Sequence, residues 1–393
     1  MKVPFKILFV SHEATRTGAP MILLHLVKWL KKNSDLEATF LLKDGGSLQN
    51  AFENIAPTFV WNSSDKNYLI QIILDRLYQR FFSNKYHPLQ IKTLRKLANQ
   101  KFDLIYLNTV ATHDLLPILK TVIHAPVISH VHEMSFSINT CFPTAIQPNY
   151  LKLINHFIVV SDTARKVFEK HINHLNINIS LFHEFIDSTT SKSPTIGGQT
   201  IKKQLALGNE FIVGCSGIGS WRKGIDIFIT LSRMVQKQYP KELIRFIWVG
   251  DVNQEIIAGY KYENDILGLE TNLIFTGVQT EPQNYFNIFD LYVLTSREDP
   301  FPLTCIEAAV LGKPIICFEG VSGIPELIGI EGGIVVPYLD LELIVENILK
   351  LSKNKEELLT MGAIVRKRAA MFDVSNIAPK IHEVINGVIG IKL

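Results

Sequence analysis

Cysteine is scarce in this chain: its 393 residues contain four, Cys141, Cys215, Cys305 and Cys317. They show no paired spacing, which excludes a disulfide framework or a cysteine-ligated zinc site as the organising element. Three of them lie in apolar strand-like or helix-like surroundings. They read as small core residues of a reducing compartment, so a cytoplasmic protein is expected. An excess of one charge is also lacking. Forty Lys and Arg against 37 Asp and Glu leave a formal net charge of +3, too little to imply nucleic acid as a partner. No apolar run approaches the length of a membrane span. The first eleven residues carry two lysines and a brief apolar run, but His12 and Glu13 follow at once. A first β-strand is expected there, not a signal peptide.

Hydrophobic residues, in contrast, are plentiful. They make up 47% of the chain against 20% charged residues, which excludes a disordered chain and predicts a packed globular one. The length suits two domains. Short apolar runs alternate with helical patterns: Ile7–Val10, Leu104–Leu107, Val127–Ile128 and Phe157–Val160 in a first half, then Phe211–Cys215, Phe246–Val249, Leu273–Phe275, Leu291–Leu294, Ile315–Phe318 and Gly333–Val336. Continuous apolar strands separated by helices predict parallel sheets covered on both faces, the doubly wound α/β class, twice over. The break falls in the turn-forming stretch from Asp187 to Gly198. Domains over 1–190 and 191–374 are expected, followed by an amphipathic helix over 375–393 with Ile377, Ile381, Val384, Ile385 and Val388 on one face.

The chemistry concentrates in a few turns. After the run Leu291–Leu294 comes an acidic, proline-rich turn, Glu298-Asp299-Pro300-Phe301-Pro302-Leu303, and then a helix bearing Glu307. Carboxylates accept from sugar hydroxyls, and free amides at a helix start face anionic oxygens, so the pattern suits a sugar phosphate. The alternative is a plain βαβ unit whose acids solvate a helix. After Phe211–Cys215 comes Ser216-Gly-Ile-Gly-Ser-Trp-Arg222-Lys223-Gly224, placing fixed positive charge at a strand's carboxyl end. A solvated basic turn is its plainer reading. Gly217-x-Gly219 matches part of a dinucleotide fingerprint, but Arg222 stands where the third glycine belongs. Gly277 and Val278 follow another strand, where a glycine permits close backbone approach. In the first half, Ser11 to Pro20 leads from a strand into a helix, with Gly18 and Ala19 at the helix start. His130 and His132 fall on the same face of a strand, with Glu133 next. A metal, a satisfied core histidine and a substrate-lining histidine are the readings open there.

These turns together resemble the retaining glycosyltransferases of family 4. Asp299 and Glu307 resemble the E-x7-E signature, Lys223-Gly224 the diphosphate-binding turn, and Ser-His-Glu-Ala-Thr-Arg-Thr-Gly-Ala-Pro the glycine-containing loop of a bacterial polysaccharide subgroup. The resemblance implies a GT-B fold, two Rossmann-like doubly wound domains facing a central cleft, with the C-terminal helix returning to the first domain. It implies that Arg222, Lys223, Gly277, Val278, Asp299, Phe301, Pro302, Leu303 and Glu307 bind a nucleotide-diphosphate sugar. Among these, Glu307 holds the ribose and Asp299 contacts the sugar. His132 lines the sugar pocket; Gly18, Ala19 and Glu133 form the first-domain loop. His132, Asp299 and Lys223 are the catalytic candidates. No cofactor and no metal are expected, and Asp-x-Asp, the metal-diphosphate signature of the other large glycosyltransferase fold, does not occur in the chain.

Two departures from the family stand out. Asp299 replaces the usual Glu, and Gly217 or Ile218 occupies the place of a further Arg. The expected activity is retaining transfer of a sugar from a nucleotide-diphosphate sugar to a glycan or lipid-linked acceptor, with bacterial surface polysaccharide synthesis as its setting. A nucleotide-sugar epimerase on the same fold and a catalytically idle homologue serving as a binding partner are the alternatives. Finally, the segment 76–101 holds seven Lys or Arg and no acid among aromatic residues. It suits either an anionic membrane surface, hence a peripheral location at the inner face, or an ordinary solvated helix face.

Overall fold

The structure, a computed structural model, describes residues 4–62, 88–172, 175, 177–188 and 194–390. The chain divides into two compact units. One comprises the chain through Val159, Arg165–Phe182 and the residues from Ile377 onward; the other comprises Val160–Ala164 and His183–Asn376.

The first unit is built on seven strands: β1 (Phe5–Ser11), β2 (Leu36–Leu42), β3 (Thr58–Val60), β4 (Leu104–Asn108), β5 (Val127–Val131), β6 (His156–Val159) and β7 (Asn178–Leu181). Their order is β3-β2-β1-β4-β5-β6-β7, parallel throughout. All five residues of β4 and of β5 are buried, as a sheet covered on both faces requires. The helix Gly18–Asn33 buries Ile22, Leu23, Leu26, Val27 and Leu30, one stripe at helical spacing, and places Lys31 and Lys32 in its last turn, where cations suit the helix dipole.

The second unit has six strands: β8 (Phe211–Ser216), β9 (Ile244–Val249), β10 (Leu273–Phe275), β11 (Leu291–Leu294), β12 (Ile315–Phe318) and β13 (Gly333–Val336). They are parallel, in the order β10-β9-β8-β11-β12-β13. The helix Ile225–Gln238 follows β8 and buries Ile225, Phe228, Ile229, Leu231 and Val235.

Strand order decides where ligands can bind. In the first sheet the chain winds outward from β1 to β2 and β3, then returns to the other side of β1 with β4. In the second it winds from β8 to β9 and β10, then returns beside β8 with β11. Each reversal opens a crevice at the carboxyl ends of two adjacent strands whose connections leave in opposite directions. The crevices therefore lie beyond Ser11 and Asn108, paired in register, and beyond β8 and β11. The turns singled out in the sequence, Ser11–Pro20, Ser216–Gly224 and Thr295–Leu303, all begin at these strand ends.

Residues 76–87 of the basic, aromatic segment lie outside the described residues. The remainder forms the helix Pro88–Ala98, whose Leu94 and Leu97 pack into the core of the first unit while Lys92, Arg95 and Lys96 are exposed. Its apolar face is spent on the fold, and Lys96 lies over the ring of Phe59, 5.6 Å from its centroid.

Candidate active site

In the second unit the two turns beyond β8 and β11 are locked together. Lys223 Nζ donates to Asp299 Oδ2 at 2.5 Å, and Ser296 Oγ donates to the same oxygen at 3.2 Å. Arg222 lies 3.8 Å from Asp299 Oδ1, but its guanidinium donates first to the carbonyl of Glu298, at 2.8 Å. Asp299 is only 5% exposed. Burial alone would push its carboxyl up, but the charges of Lys223 and Arg222 and the hydrogen bonds from Lys223 and Ser296 outweigh this and hold it below the usual carboxylate range. The Asp299 carboxylate is thus kept ionised beside Lys223 Nζ at the switch point of the sheet.

The backbone of this basic turn is fixed with equal care. Gly224 has φ +70°, and a Cβ there would sit 2.0 Å from the carbonyl oxygen of Thr295. Only glycine lets β8's turn approach β11's so closely. Thr295 Oγ1 donates to the carbonyl of Lys223, and the amide of Arg297 donates to the carbonyl of Arg222 at 2.8 Å. Arg297 binds Asp226 in a fork, at 2.8 and 2.6 Å, donates to the carbonyl of Trp221, and lies 4.9 Å over the indole of Trp221. Hydrogen bonding from Arg297 holds the Asp226 carboxyl below its ordinary range.

Tyr292 completes the frame from inside. Its buried hydroxyl accepts from the amide of Ser216 at 3.0 Å and meets Thr304 Oγ1 at 3.0 Å, tying the end of β8 to the first turn of the helix Leu303–Val310. Pro302 caps that helix, Phe301 is buried against Phe372 and His183, and Glu307 is half-buried two residues beyond Cys305. The backbone of Gly277 accepts from Gly250, whose loop lies against Gly217, so the turn at Gly277 and Val278 belongs to the same crevice rim. Val278 itself is exposed. Neither Tyr292, Ser296 nor Arg297 was singled out in the sequence. Tyr292 and Arg297 act through partners 76 and 71 residues away, Ser216 and Asp226, and Ser296 through its bond to Asp299; nothing in their neighbours along the chain announces these contacts.

In the first unit, Gly18 and Ala19 open the helix Gly18–Asn33, as the sequence suggests. Glu13 shapes the loop before them, accepting from Thr15 Oγ1 at 2.5 Å and Thr17 Oγ1 at 3.0 Å. Gly46 lies so close beneath that a Cβ would meet the Ala14 carbonyl oxygen at 2.4 Å. Beyond β5, Glu133 Oε2 accepts from the amides of His132, at 2.9 Å, and Val110, at 3.3 Å. Burial raises its carboxyl above the usual range, although His132 and these amides oppose the shift. Thr109, the residue before Val110, has φ +97°, a conformation few residues adopt.

His130 and His132 share a face, their ring centroids 4.1 Å apart. His130 is buried, its Nδ1 bonded to the hydroxyl of Tyr106 at 2.8 Å. Desolvation and the neighbouring His132 keep it well below the ordinary histidine range, which makes it a neutral core residue. His132 is less buried and its Nε2 meets Asn108 Oδ1 at 3.1 Å. Among the described residues no group of three or more His, Cys, Asp or Glu is arranged to hold a metal ion. Cys215, Cys305 and Cys317 are buried free thiols; Cys141 is exposed.

Residues 198–368 match the protein family Glycosyl transferases group 1. A crystal structure of Anabaena Alr3699/HepE in complex with UDP and glucose aligns with a TM-score of 0.80 and 22% identity, over 98% of this chain and 100% of that one. The chain has the GT-B fold. The Lys223–Asp299 pair lies within the residues 198–368 that match the family. Among curated proteins, the GT-B chain is similar to the alpha-galactosylglucosyldiacylglycerol synthase of Streptococcus pneumoniae, 35% identical over 112 residues, 28% of each protein. It is also similar to an uncharacterized glycosyltransferase of Haemophilus influenzae, 26% identical over 163 residues, 41% of this chain and 45% of that protein. The matched parts thus span less than half the length of these curated relatives. The fold class expected from the sequence, two Rossmann-like parallel-sheet domains, is that of the structure.

Proposed function

We propose that the chain is a retaining glycosyltransferase of family 4 that moves a sugar from a nucleoside-diphosphate sugar to a glycan or lipid-linked acceptor in bacterial surface polysaccharide synthesis. The observation that carries this reading is the Lys223–Asp299 pair at the β8/β11 switch point, backed by Arg222 and by the start of the helix Leu303–Val310, which has no acidic residue in its first turn. Cations and helix amides at one crevice suit a diphosphate; a carboxylate beside them suits the sugar hydroxyls. UDP is the proposed nucleotide, supported by the Anabaena structures in complex with UDP and with UDP-glucose.

In the proposed reaction the bond between the sugar C1 and the β-phosphate oxygen breaks, and its electron pair leaves with the diphosphate. Lys223 and Arg222 stabilise that developing charge more in the transition state than in the bound donor, which is what accelerates the step. The acceptor hydroxyl oxygen bonds to C1 on the same face, and its proton passes to the departing phosphate oxygen. Glu307 holds the ribose, Asp299 the sugar hydroxyls, and His132 of the first domain lines the sugar pocket. No metal enters the step. The acceptor binds the first domain, with basic residues of 76–101 contacting the membrane in which a lipid-linked acceptor sits.

The test is turnover of UDP-glucose and related donors with a panel of glycan and lipid-linked acceptors, the product's anomeric configuration being read by proton NMR. Acceptor-dependent UDP release with retained configuration is expected. An inverted product would overturn retention, and nucleotide release without an acceptor-derived product would favour the epimerase. Absence of turnover with every donor, together with absence of nucleotide binding, would leave the idle homologue.

A further inference from the structure

Asn108, the last residue of β4, joins two of the elements described above. Its Nδ2 donates to the carbonyl oxygen of Ala19 at 2.9 Å, and its Oδ1 lies 3.1 Å from Nε2 of His132. The chemistry of these three groups leaves one arrangement. A backbone carbonyl can only accept, so the amide must turn its NH2 to Ala19 and its oxygen to His132. An amide oxygen can also only accept, so Nε2 of His132 must carry a hydrogen, in the neutral ring as in the charged one. The proton that His132 exchanges is then the one on Nδ1.

We propose that Asn108 is a positioning residue for His132, fixing its Nε2–H tautomer and tethering its ring to the Gly18–Ala19 loop. Asn108 is fully buried, which makes both bonds costly to abandon. The backbone of His132 is clamped separately by Glu133 Oε2. The ring that results is preorganised: its orientation is set before any sugar arrives, and its titrating nitrogen is chosen in advance. The role in catalysis rests on His132 lining the sugar pocket, as proposed above. The tautomer does not depend on that reading.

The test uses the full chain labelled with 15N-histidine, with His132→Ala assigning the resonance. Long-range proton–nitrogen correlation at alkaline pH, where the ring is neutral, reports which nitrogen bears the hydrogen. The wild type is expected to show Nε2–H. Asn108→Asp keeps an acceptor facing Nε2 and should retain that tautomer, while its added negative charge moves the acidic limb of the kcat–pH profile to higher pH. Asn108→Leu should release the ring to a mixture of tautomers and lower kcat about tenfold to a hundredfold, with little change in donor KM. Nδ1–H in the wild type would overturn the proposal whether or not Asn108→Leu folds. So would a kcat–pH profile in Asn108→Asp identical to that of the wild type. A wild type that shows Nε2–H yet transfers no sugar would overturn the transferase reading and, with it, the catalytic role of Asn108, but would leave the tautomer assignment standing.

Discussion

At the scale of single residues, Lys223 Nζ donates directly to Asp299 Oδ2. A donor diphosphate must draw Lys223 partly away from Asp299, so the carboxylate competes with the phosphate for the same ammonium. Asp299→Asn removes the competitor. It should tighten UDP binding several-fold by calorimetry while slowing sugar transfer at least tenfold, because the sugar loses a charged acceptor worth about 1.5–3 kcal/mol per hydrogen bond. The same substitution leaves Lys223 without its anionic partner and should cost stability. The sign with pH follows from the lowered carboxyl. A group held below its unfolded value of about 3.9 contributes stability above that pH and loses it as the pH falls through the folded value. The gap in melting temperature between wild type and Asp299→Asn should therefore be full at neutral pH and close below about pH 4.

Glu133 has the opposite sign. Its carboxyl is raised by burial, so ionisation at neutral pH works against folding, and protonation relieves it as the pH falls. Glu133→Gln keeps an oxygen for the amides of Val110 and His132. It should melt no lower than wild type at pH 7, and its relative advantage should shrink on acidification. A melting point below that of the wild type at pH 7, with the gap closing on acidification, would show instead that the charge itself supports the fold.

At the scale of elements, the turn from Ser216 to Gly224 depends on one backbone conformation. Gly224→Ala places a Cβ against the Thr295 carbonyl in a left-handed conformation, and a loss on the order of 2–4 kcal/mol is expected by denaturant titration, together with loss of UDP binding. The runs Leu104–Leu107, Val127–Ile128 and Leu291–Leu294 were legible in the sequence because both faces of these strands are buried, which leaves continuous apolar runs. β3 and β7 were not, since they lie at the sheet edges with part-exposed residues and polar side chains. Lys223, Asp299, Gly18 and His132 were legible because each belongs to a turn with several unusual residues in a row. Asn108, Tyr292 and Arg297 were not, because their partners lie far along the chain: Asn108 to Ala19 spans 89 residues and Tyr292 to Ser216 spans 76. A single Asn at the end of an apolar run has no local signature of such a partner.

At the scale of the whole molecule, two doubly wound sheets place the turns Ser11–Pro20, Ser216–Gly224 and Thr295–Leu303 at the carboxyl ends of strands beside an order reversal. In the proposed function the nucleotide sugar takes the second domain, where Arg222 and Lys223 lie, and the acceptor the first. The central claim is that Lys223 binds the diphosphate of a nucleotide sugar. The measurement that tests it most directly is the melting temperature of the full chain with UDP, GDP, dTDP, ADP and CMP, with Lys223→Ala beside it. A ligand that binds only the folded state stabilises it by about 2.7 kcal/mol at a hundredfold excess over Kd. The account predicts that UDP raises the melting point of the wild type and leaves that of Lys223→Ala unchanged. Equal shifts in both proteins, or no shift with any nucleotide diphosphate, would contradict it.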